Sequence, residues 1–316
     1  MTDMSGVFGG AIVYTPQIIA DQLVSNIVGD QSQQATLEQQ IATGSRINQP
    51  SDDPAGTASV MQLQAANTRA QQYVSNANDG LGWLSLANST LNQVVGILQT
   101  VHSTILGVTS AGLTGSQAGL SSMATSVQGA LQSLLNLANT QYGGQAIFAG
   151  TGNVQAAYDA SGNYIGGGSA PTRAVAPGTS VAVSVAGPDV FGSGATGLLG
   201  NSSGNTGVLA QIAQDLQAGT PASLQKVATT DLDALNNAIN QVETQAAVVG
   251  TNYQQMQTFS QEATNAQAAL AKELSGIQST NMPQAISDLT QAQTSYQSAL
   301  WATAQIRQNS LVQFLG

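Results

Sequence analysis

Side chains able to do chemistry are few in this chain, and most stand alone. Asp52 and Asp53 are its only adjacent carboxylates, a pair that could act as acid and base or hold a cation. Their setting, Pro50-Ser51-Asp52-Asp53-Pro54-Ala55, points instead to a helix start. There an acidic side chain ahead of a proline accepts from the first orphan N–H groups. Gly192-Ser193-Gly194-Ala195-Thr196-Gly197 spells the dinucleotide fingerprint, but that motif works only between a strand and a helix. Further glycines at 200, 204 and 207 leave no helix N-terminus to hold a pyrophosphate, so a flexible loop is expected. Gly200-Asn201-Ser202-Ser203-Gly204 spells a nucleophile elbow, yet the sole histidine, His102, lies upstream, against the chain order serine, acid, histidine. His102 has no companion ligands for a metal and is expected as a hydrogen-bonded residue in a helix seam. Asp159, Ser161 and Asn163 begin like a calcium loop but lack its later acidic ligand, which predicts a β-turn.

The elements around these residues are set by period. From Val60 through Leu63, Asn67, Ala70, Val74, Ala77, Leu81, Leu84, Asn88, Leu91, Val95, Leu98, His102 and Ile105 the spacing alternates three and four, over roughly seven heptads. A helix of about 50 residues, some 75 Å long, is predicted. Gly80, Gly82 and Gly96 should weaken it by up to about 1 kcal/mol each. A second stripe runs from Leu120 to Leu137. A third runs from Leu224 and Ala228 to Ile277, interrupted by Asp231, Gln245 and Asn252, which could fix alignment. The chain ends carry one weaker stripe each: Ile19, Leu23, Asn26, Asp30, Gln34, Leu37 and Ile41, and Ile286, Leu289, Gln293, Tyr296, Leu300, Thr303 and Ile306. Neither has enough apolar surface to close a core alone, so the two should order only against each other and against neighbouring subunits.

From Gly143 to about Gly207 the helical period vanishes and Gly and Pro accumulate. Tyr158 to Tyr164 predicts strand, turn, strand, and Val181 to Val185 a half-buried strand. The expected fold class is therefore mainly α, a long antiparallel helical hairpin or coiled-coil rod with a small β-rich insert domain at its tip. The expected division is 1–50 with 278–316 as a terminal pair, 51–147 with 208–277 as a helical rod, and 148–207 as the insert.

Composition narrows the function classes. The chain has 316 residues, a net charge of −10, 7% charged residues and no cysteine, which excludes a disulfide framework and any thiolate metal site. Its basic residues, six in all, are scattered singly, which argues against nucleic acid. No apolar run approaches the roughly 18 residues of a membrane span, and the start lacks a Sec-type signal. Polar positions are filled by Gln, Asn, Ser and Thr, which can be packed against copies of themselves at little desolvation cost. An enzyme seated in the insert lacks grouped reactive residues, since 143–207 holds only Asp159, Arg173 and Asp189 as charged side chains.

The segment Ala42-Thr43-Gly44-Ser45-Arg46-Ile47-Asn48-Gln49-Pro50-Ser51-Asp52-Asp53-Pro54-Ala55 closely resembles the flagellin superfamily. In that superfamily this stretch joins a terminal coiled coil to a rod. Leu137-Ala138-Asn139-Thr140, Ile147-Phe148-Ala149-Gly150-Thr151, Tyr158-Asp159 to Tyr164, Ala176-Pro177-Gly178-Thr179 and Gly187-Pro188-Asp189-Val190-Phe191-Gly192 look like the hook–filament junction branch. The resemblance covers essentially the whole chain except Met1–Pro16, which looks like an irregular extension. It implies a non-enzymatic structural subunit without cofactors. Such a subunit is secreted unfolded through the flagellar type III apparatus with a cytoplasmic export chaperone. It then assembles as a homo-oligomeric ring between the hook-side junction protein and flagellin in the extracellular flagellum. Assembly residues are expected at Arg46, Asn48, Asp52 and Asp53 in the joint. Others are expected at Leu23, Ile41, Ile286, Leu289, Tyr296, Leu300 and Ile306 on helices lining the inner tube. Flagellin itself is the near alternative; a soluble signalling hairpin would need a helical tip.

Overall fold

The computed structural model describes residues 16–110, 116–152, 154–192, 197–200 and 207–315, the side chains at 16–17, 19–20, 109–110 and 306–315 excepted. Of the extension Met1–Pro16 only Pro16 is described, and it opens the first helix; the interior of the 192–197 motif and residues 201–204 of the elbow-like motif lie outside the described residues. The fold is mainly helical, with small antiparallel sheets. In order, α1 is Pro16–Thr43, α2 Pro54–Ser110, α3 Gln117–Ala138, β1 Gln141–Tyr142, β2 Gln145–Ala146, β3 Thr172–Ala176, β4 Thr179–Ala182 and α4 Gly187–Phe191. They are followed by α5 Val208–Ala218, α6 Pro221–Lys226, a π-turn at Val227–Asp231, α7 Leu232–Gln278 and α8 Met282–Leu315. The chain forms two compact units, one of residues 1–67 with 269–316 and the other of residues 68–268.

The predicted long helix is α2, 57 residues in all, of which residues 68–110 belong to the larger unit. Its buried seam is Leu84, Ala87, Leu91, Val94, Leu98, Val101, Ile105 and Val108. Spacing by three and four is as expected, but alternate positions fall one residue away from the predicted stripe. Ala87 and Val101 are buried where Asn88 and His102 were expected; Asn88 is exposed and His102 half-buried. At those two positions the cause is plain, since small or apolar neighbours were available and a polar side chain in the seam costs desolvation; between them Val94 is buried in place of the predicted Val95 by the same one-residue displacement. Residues 97–104 of α2 and 126–133 of α3 line one narrow groove. Helix α7 runs antiparallel to α2, with the Ser260 hydroxyl 3.2 Å from Asn78 Oδ1.

Helix α5 was not foreseen, although Leu209, Ile212, Ala213 and Leu216 recur at helical spacing and are all buried, and α5 packs on α3. It stops at Gly219, whose φ of 59° is left-handed. Thr220 and Ser223 then form a reciprocal capping box that starts α6. The third stripe is buried at Leu224, Val227, Asp231, Leu235, Ala238 and Val242. Val227 replaces the predicted Ala228 because two successive four-residue steps lie around Asp231, and the π-turn absorbs the additional residue.

The insert has little regular sheet. β1 and β2 form a two-residue hairpin, while β3 and β4 pair antiparallel with a shift between Ala174 and Ala176. The expected strand at 181–185 is displaced, since β4 ends at Ala182, although Val181, Val183 and Val185 are all buried. Tyr158 and Tyr164 meet in a single antiparallel bridge rather than two strands. The turn between them is closed by Asp159, whose Oδ1 accepts from the amides of Ser161 and Asn163 at 2.8 and 2.9 Å. An aromatic group holds the insert together, with Phe148 edge-on to Phe191 at 5.4 Å and Tyr158 to Phe191 at 5.6 Å. Burial pushes the Tyr158 phenol up from its ordinary value.

The insert docks midway along α2 instead of lying beyond the hairpin's end. Arg173 of β3 donates from Nε to Asp79 Oδ2 at 2.7 Å and lies over the Trp83 ring at 5.8 Å, while Asn76 Nδ2 donates to the Ala174 carbonyl at 2.8 Å. Trp83 in turn contacts the Tyr142 ring at 5.3 Å. This contact explains a glycine that looked like a weakness: a Cβ at Gly82 would collide with the Tyr142 hydroxyl and sit 2.9 Å from Cζ. Gly96, by contrast, has nothing within 4 Å of such a Cβ. We expect Gly82→Ala to destabilise the larger unit by about 1 kcal/mol through overpacking, despite better helix propensity. Gly96→Ala should stabilise it by up to about 1 kcal/mol. Urea unfolding followed by fluorescence of the buried Trp83 would separate the two; equal stabilisation by both would refute the Tyr142 contact.

Candidate assembly site

Within the smaller unit the first and last helices pack antiparallel, Gln34 Nε2 donating to the Ala292 carbonyl at 3.0 Å. Along α1, Leu23, Ile27, Asp30, Gln34, Leu37 and Ile41 are half-buried, a run in which Ile27 replaces the predicted Asn26, which is exposed. Along α8 the fully buried side chains are Ala285 and Ala292, seven residues apart, with Leu289, Tyr296 and Thr303 half-buried beside them. The predicted stripe is therefore off by one at three positions, with Ala285, Ala292 and Ala299 standing where Ile286, Gln293 and Leu300 were expected. Ile286 and Leu300 face out, 52% and 43% exposed, and alanines take the close places. The missed signal was the alanine repeat at 285, 292 and 299. Small residues let two helix backbones approach closely, so they occupy the seam while larger neighbours are left outside. The side chain of Ile306 lies outside the described residues.

The outward faces of this unit are apolar to an unusual degree. Val24 and Val28, one turn apart, are 53% and 60% exposed, Met61 is 65% exposed, and Trp301 is 77% exposed beside Leu300. Scattered exposed apolar residues are ordinary. Here they recur at helical spacing on helices whose inner faces bury little beyond alanine.

The joint from Gly44 to Gly56 connects α1 to α2 and is cross-linked to the α7–α8 connection. Gly44 ends α1 with φ 69°, its amide donating to the Gln40 carbonyl at 2.9 Å. Ser45 then bridges Ser279, the Arg46 amide donates to the Gln278 carbonyl at 2.6 Å, and the Thr280 amide to the Gly44 carbonyl at 3.0 Å. The Arg46 guanidinium donates from Nη2 to Asp53 Oδ2 at 3.2 Å and to the Ile277 carbonyl at 3.3 Å. Asn48 receives the Thr43 hydroxyl at 2.9 Å and donates from Nδ2 to the Ser45 carbonyl at 2.8 Å.

Asp52 and Asp53 divide the capping work. Asp52 Oδ2 accepts from the amides of Asn48 and Gln49, both at 2.9 Å, and so closes the loop. Asp53 Oδ1 accepts from the Gly56 amide at 2.8 Å and caps α2, with Pro54 at its first position. The Gly56 amide, followed by Arg46, holds the Asp53 carboxyl below its ordinary value. Gly56 itself is required, because a Cβ there would strike the Asp53 carboxylate and stand 2.7 Å from Ile47 Cδ1. The joint thus brings together all four residues expected there, and the capping expected of Asp53 is what the geometry shows.

A lowered carboxyl value stabilises the fold above the unfolded value of 3.8 and loses that contribution as pH falls through the lower folded value. The Gly56 amide should therefore remain protected from hydrogen exchange at pH 4 and lose protection only in stronger acid. Asp53→Ala should expose it at neutral pH, and unchanged protection in that variant would remove the cap from the account.

Comparison with known proteins matches this arrangement at both ends. The chain matches the bacterial flagellin N-terminal helical region over residues 16–153 and the bacterial flagellin C-terminal helical region over residues 232–315. It is 28% identical over 257 residues to flagellar hook-associated protein 3 of Salmonella typhimurium, covering 77% of this chain and 80% of that one. To flagellar hook-associated protein 3 of Escherichia coli it is 26% identical over 314 residues, covering 95% and 98%. The flagellar junction protein FlgL of Legionella pneumophila shares the fold, with a TM-score of 0.53 and 15% identity over 70% of this chain and all of that structure. With the helical regions at both ends matched, their joint formed and hook-associated relatives aligned along most of its length, the chain belongs to the flagellin superfamily, a family of flagellar structural proteins and not of enzymes.

Proposed function

We propose that this protein is the structural adaptor of the bacterial flagellum that joins the hook-side junction protein to the flagellin filament. The observation that carries the reading is the terminal helix pair. Its inner seam is built on alanine, and large apolar side chains such as Val28, Ile286, Leu300 and Trp301 stand in water. Burying such side chains against further copies would contribute about 25 cal/mol for each Å² of apolar surface removed from water. That supports a homo-oligomeric ring, with the terminal pairs, residues 1–50 and 278–316, packed towards its inside. Residues 51–147 with 208–277 would then form the helical rod, and 148–207 the insert.

Export through the flagellar type III apparatus under a cytoplasmic chaperone fits the same feature, because weakly apolar termini stay unfolded until partners are present. Among the described residues no helix is long and apolar enough to cross a membrane. Arg46 and Asn48 would contact neighbouring subunits from a joint whose internal bonds already hold it in shape. The full-length correspondence with hook-associated protein 3 favours the adaptor over the filament subunit itself.

A clean deletion of the gene, followed by electron microscopy of the cell surface, tests the proposal. Hooks without filaments and flagellin shed into the medium are the expected result, whereas normal filaments would overturn it. Arg46→Ala should lower motility and filament attachment while the isolated subunit keeps its helical content; full attachment in that variant would remove Arg46 from the interface.

A further inference from the structure

The larger unit holds one cluster of ionisable side chains that the assembly reading does not use. Asp215 lies on α5, Lys226 ends α6 and Asp231 ends the π-turn. Lys226 Nζ donates to Asp215 Oδ2 at 2.6 Å, and Gln211 Nε2 donates to the same oxygen at 2.9 Å. Asp231 is 4% exposed and its Oδ2 has no hydrogen-bond partner. A carboxylate with one oxygen buried and without a donor is costly, and the neighbouring carboxylate of Asp215 makes it more so. The single ammonium of Lys226 is already committed to Asp215. The neutral acid solves the problem, because an Asp231 carboxyl group can donate its proton to Asp215, whose Oδ1 takes neither of the two named donors.

We propose that Asp215 and Asp231 share one proton and so make the corner formed by α5, α6 and the π-turn a proton-operated joint. While the proton is held, the pair ties α5 to the start of α7. When it leaves, two carboxylates face one half-exposed ammonium, the Asp231 charge is left buried, and the corner loosens. The π-turn suits such a site. It is the one place among the described residues where the helix departs from α-helical bonding, and the additional residue it accommodates turns Asp231 inward.

The charges that face the pair are few. Helix α3, which packs on α5, carries no ionisable side chain. Lys226 is the cation of α6, and Asp233 at the start of α7 is exposed. Helix α2 contributes His102, half-buried on its own helix. Burial, followed by the neighbouring Asp215, pushes the Asp231 carboxyl up to about 6. Burial opposes ionisation of Asp215 too, but the Lys226 and Gln211 donors outweigh it and hold that carboxyl below its ordinary value. The raised group stabilises the fold fully below the unfolded value of 3.8, and this contribution is lost as pH rises through about 6. The lowered group acts in the other sense, losing its contribution in acid. The corner is therefore firmest between the two, at about pH 4 to 6.

Hydrogen exchange of the full chain, corrected for the intrinsic pH dependence of exchange, tests the joint directly. Protection of the backbone across 221–235 should fall by about tenfold or more between pH 5 and pH 7.5. Asp231→Asn should remove that dependence. Asp215→Asn should lessen it, because the burial of Asp231 remains, and provides a second variant should the first fold poorly. His102→Gln should leave it intact. A wild-type chain with equal protection at both pH values would overturn the proposal, as would a response that survives Asp231→Asn or disappears with His102→Gln.

Discussion

Close approach of α1 and α8 is the constraint on which the smaller unit depends. Two helices meet through Ala285 and Ala292 on one side and half-buried Leu23, Ile27, Leu37 and Ile41 on the other. A seam this thin removes little apolar surface from water, and each residue ordered costs of the order of 1–2 kcal/mol in backbone entropy. The pair is accordingly held by contacts at its joint end and leaves its bulky side chains on the outside. A chain built to fold as a monomer would place Leu and Ile in the seam and Lys or Glu outside. Here the outer positions carry Val24, Val28, Ile286 and Leu300, with Gln, Asn, Ser and Thr between them.

The larger unit solves the same problem in the opposite way. Its seam along α2 is Leu, Val, Ile and Ala, all buried, and α3, α5 and α7 close over it as one continuous hydrophobic core with the insert. The insert is kept in place by a small number of strong points. Arg173 meets both a carboxylate and an indole face, and Trp83 and Tyr142 fill the space that Gly82 leaves open. Aromatic edges from Phe148, Tyr158 and Phe191 make up for the near absence of regular sheet.

Low charge runs through both units, and several of the remaining charges hold a specific place. Asp52 and Asp53 close the joint, Arg46 ties it to the end of α7, and Arg173 docks the insert. Ion pairs at partly exposed positions contribute little stability on average. Their value here lies in geometry, since each fixes the relative placement of two segments that have few other polar contacts.

Sequence alone determined where the long helices run, that α2 begins at a capped Asp53-Pro54, that a tight turn lies between Tyr158 and Tyr164, and that the chain ends carry too little apolar surface to close a core alone. Each of these follows from local chemistry or from a period, and both are written in consecutive residues. Only the tertiary structure decided which of two adjacent residues faces the seam. At Ala87 against Asn88, Val101 against His102 and Ala285 against Ile286, period permits either, and the distance to the partner helix chooses the smaller or less polar side chain. The same holds for the π-turn at Asp231, the fit of Tyr142 over Gly82 and the docking of the insert on mid-α2. Their causes are residues far apart in the chain that meet only when the helices have packed.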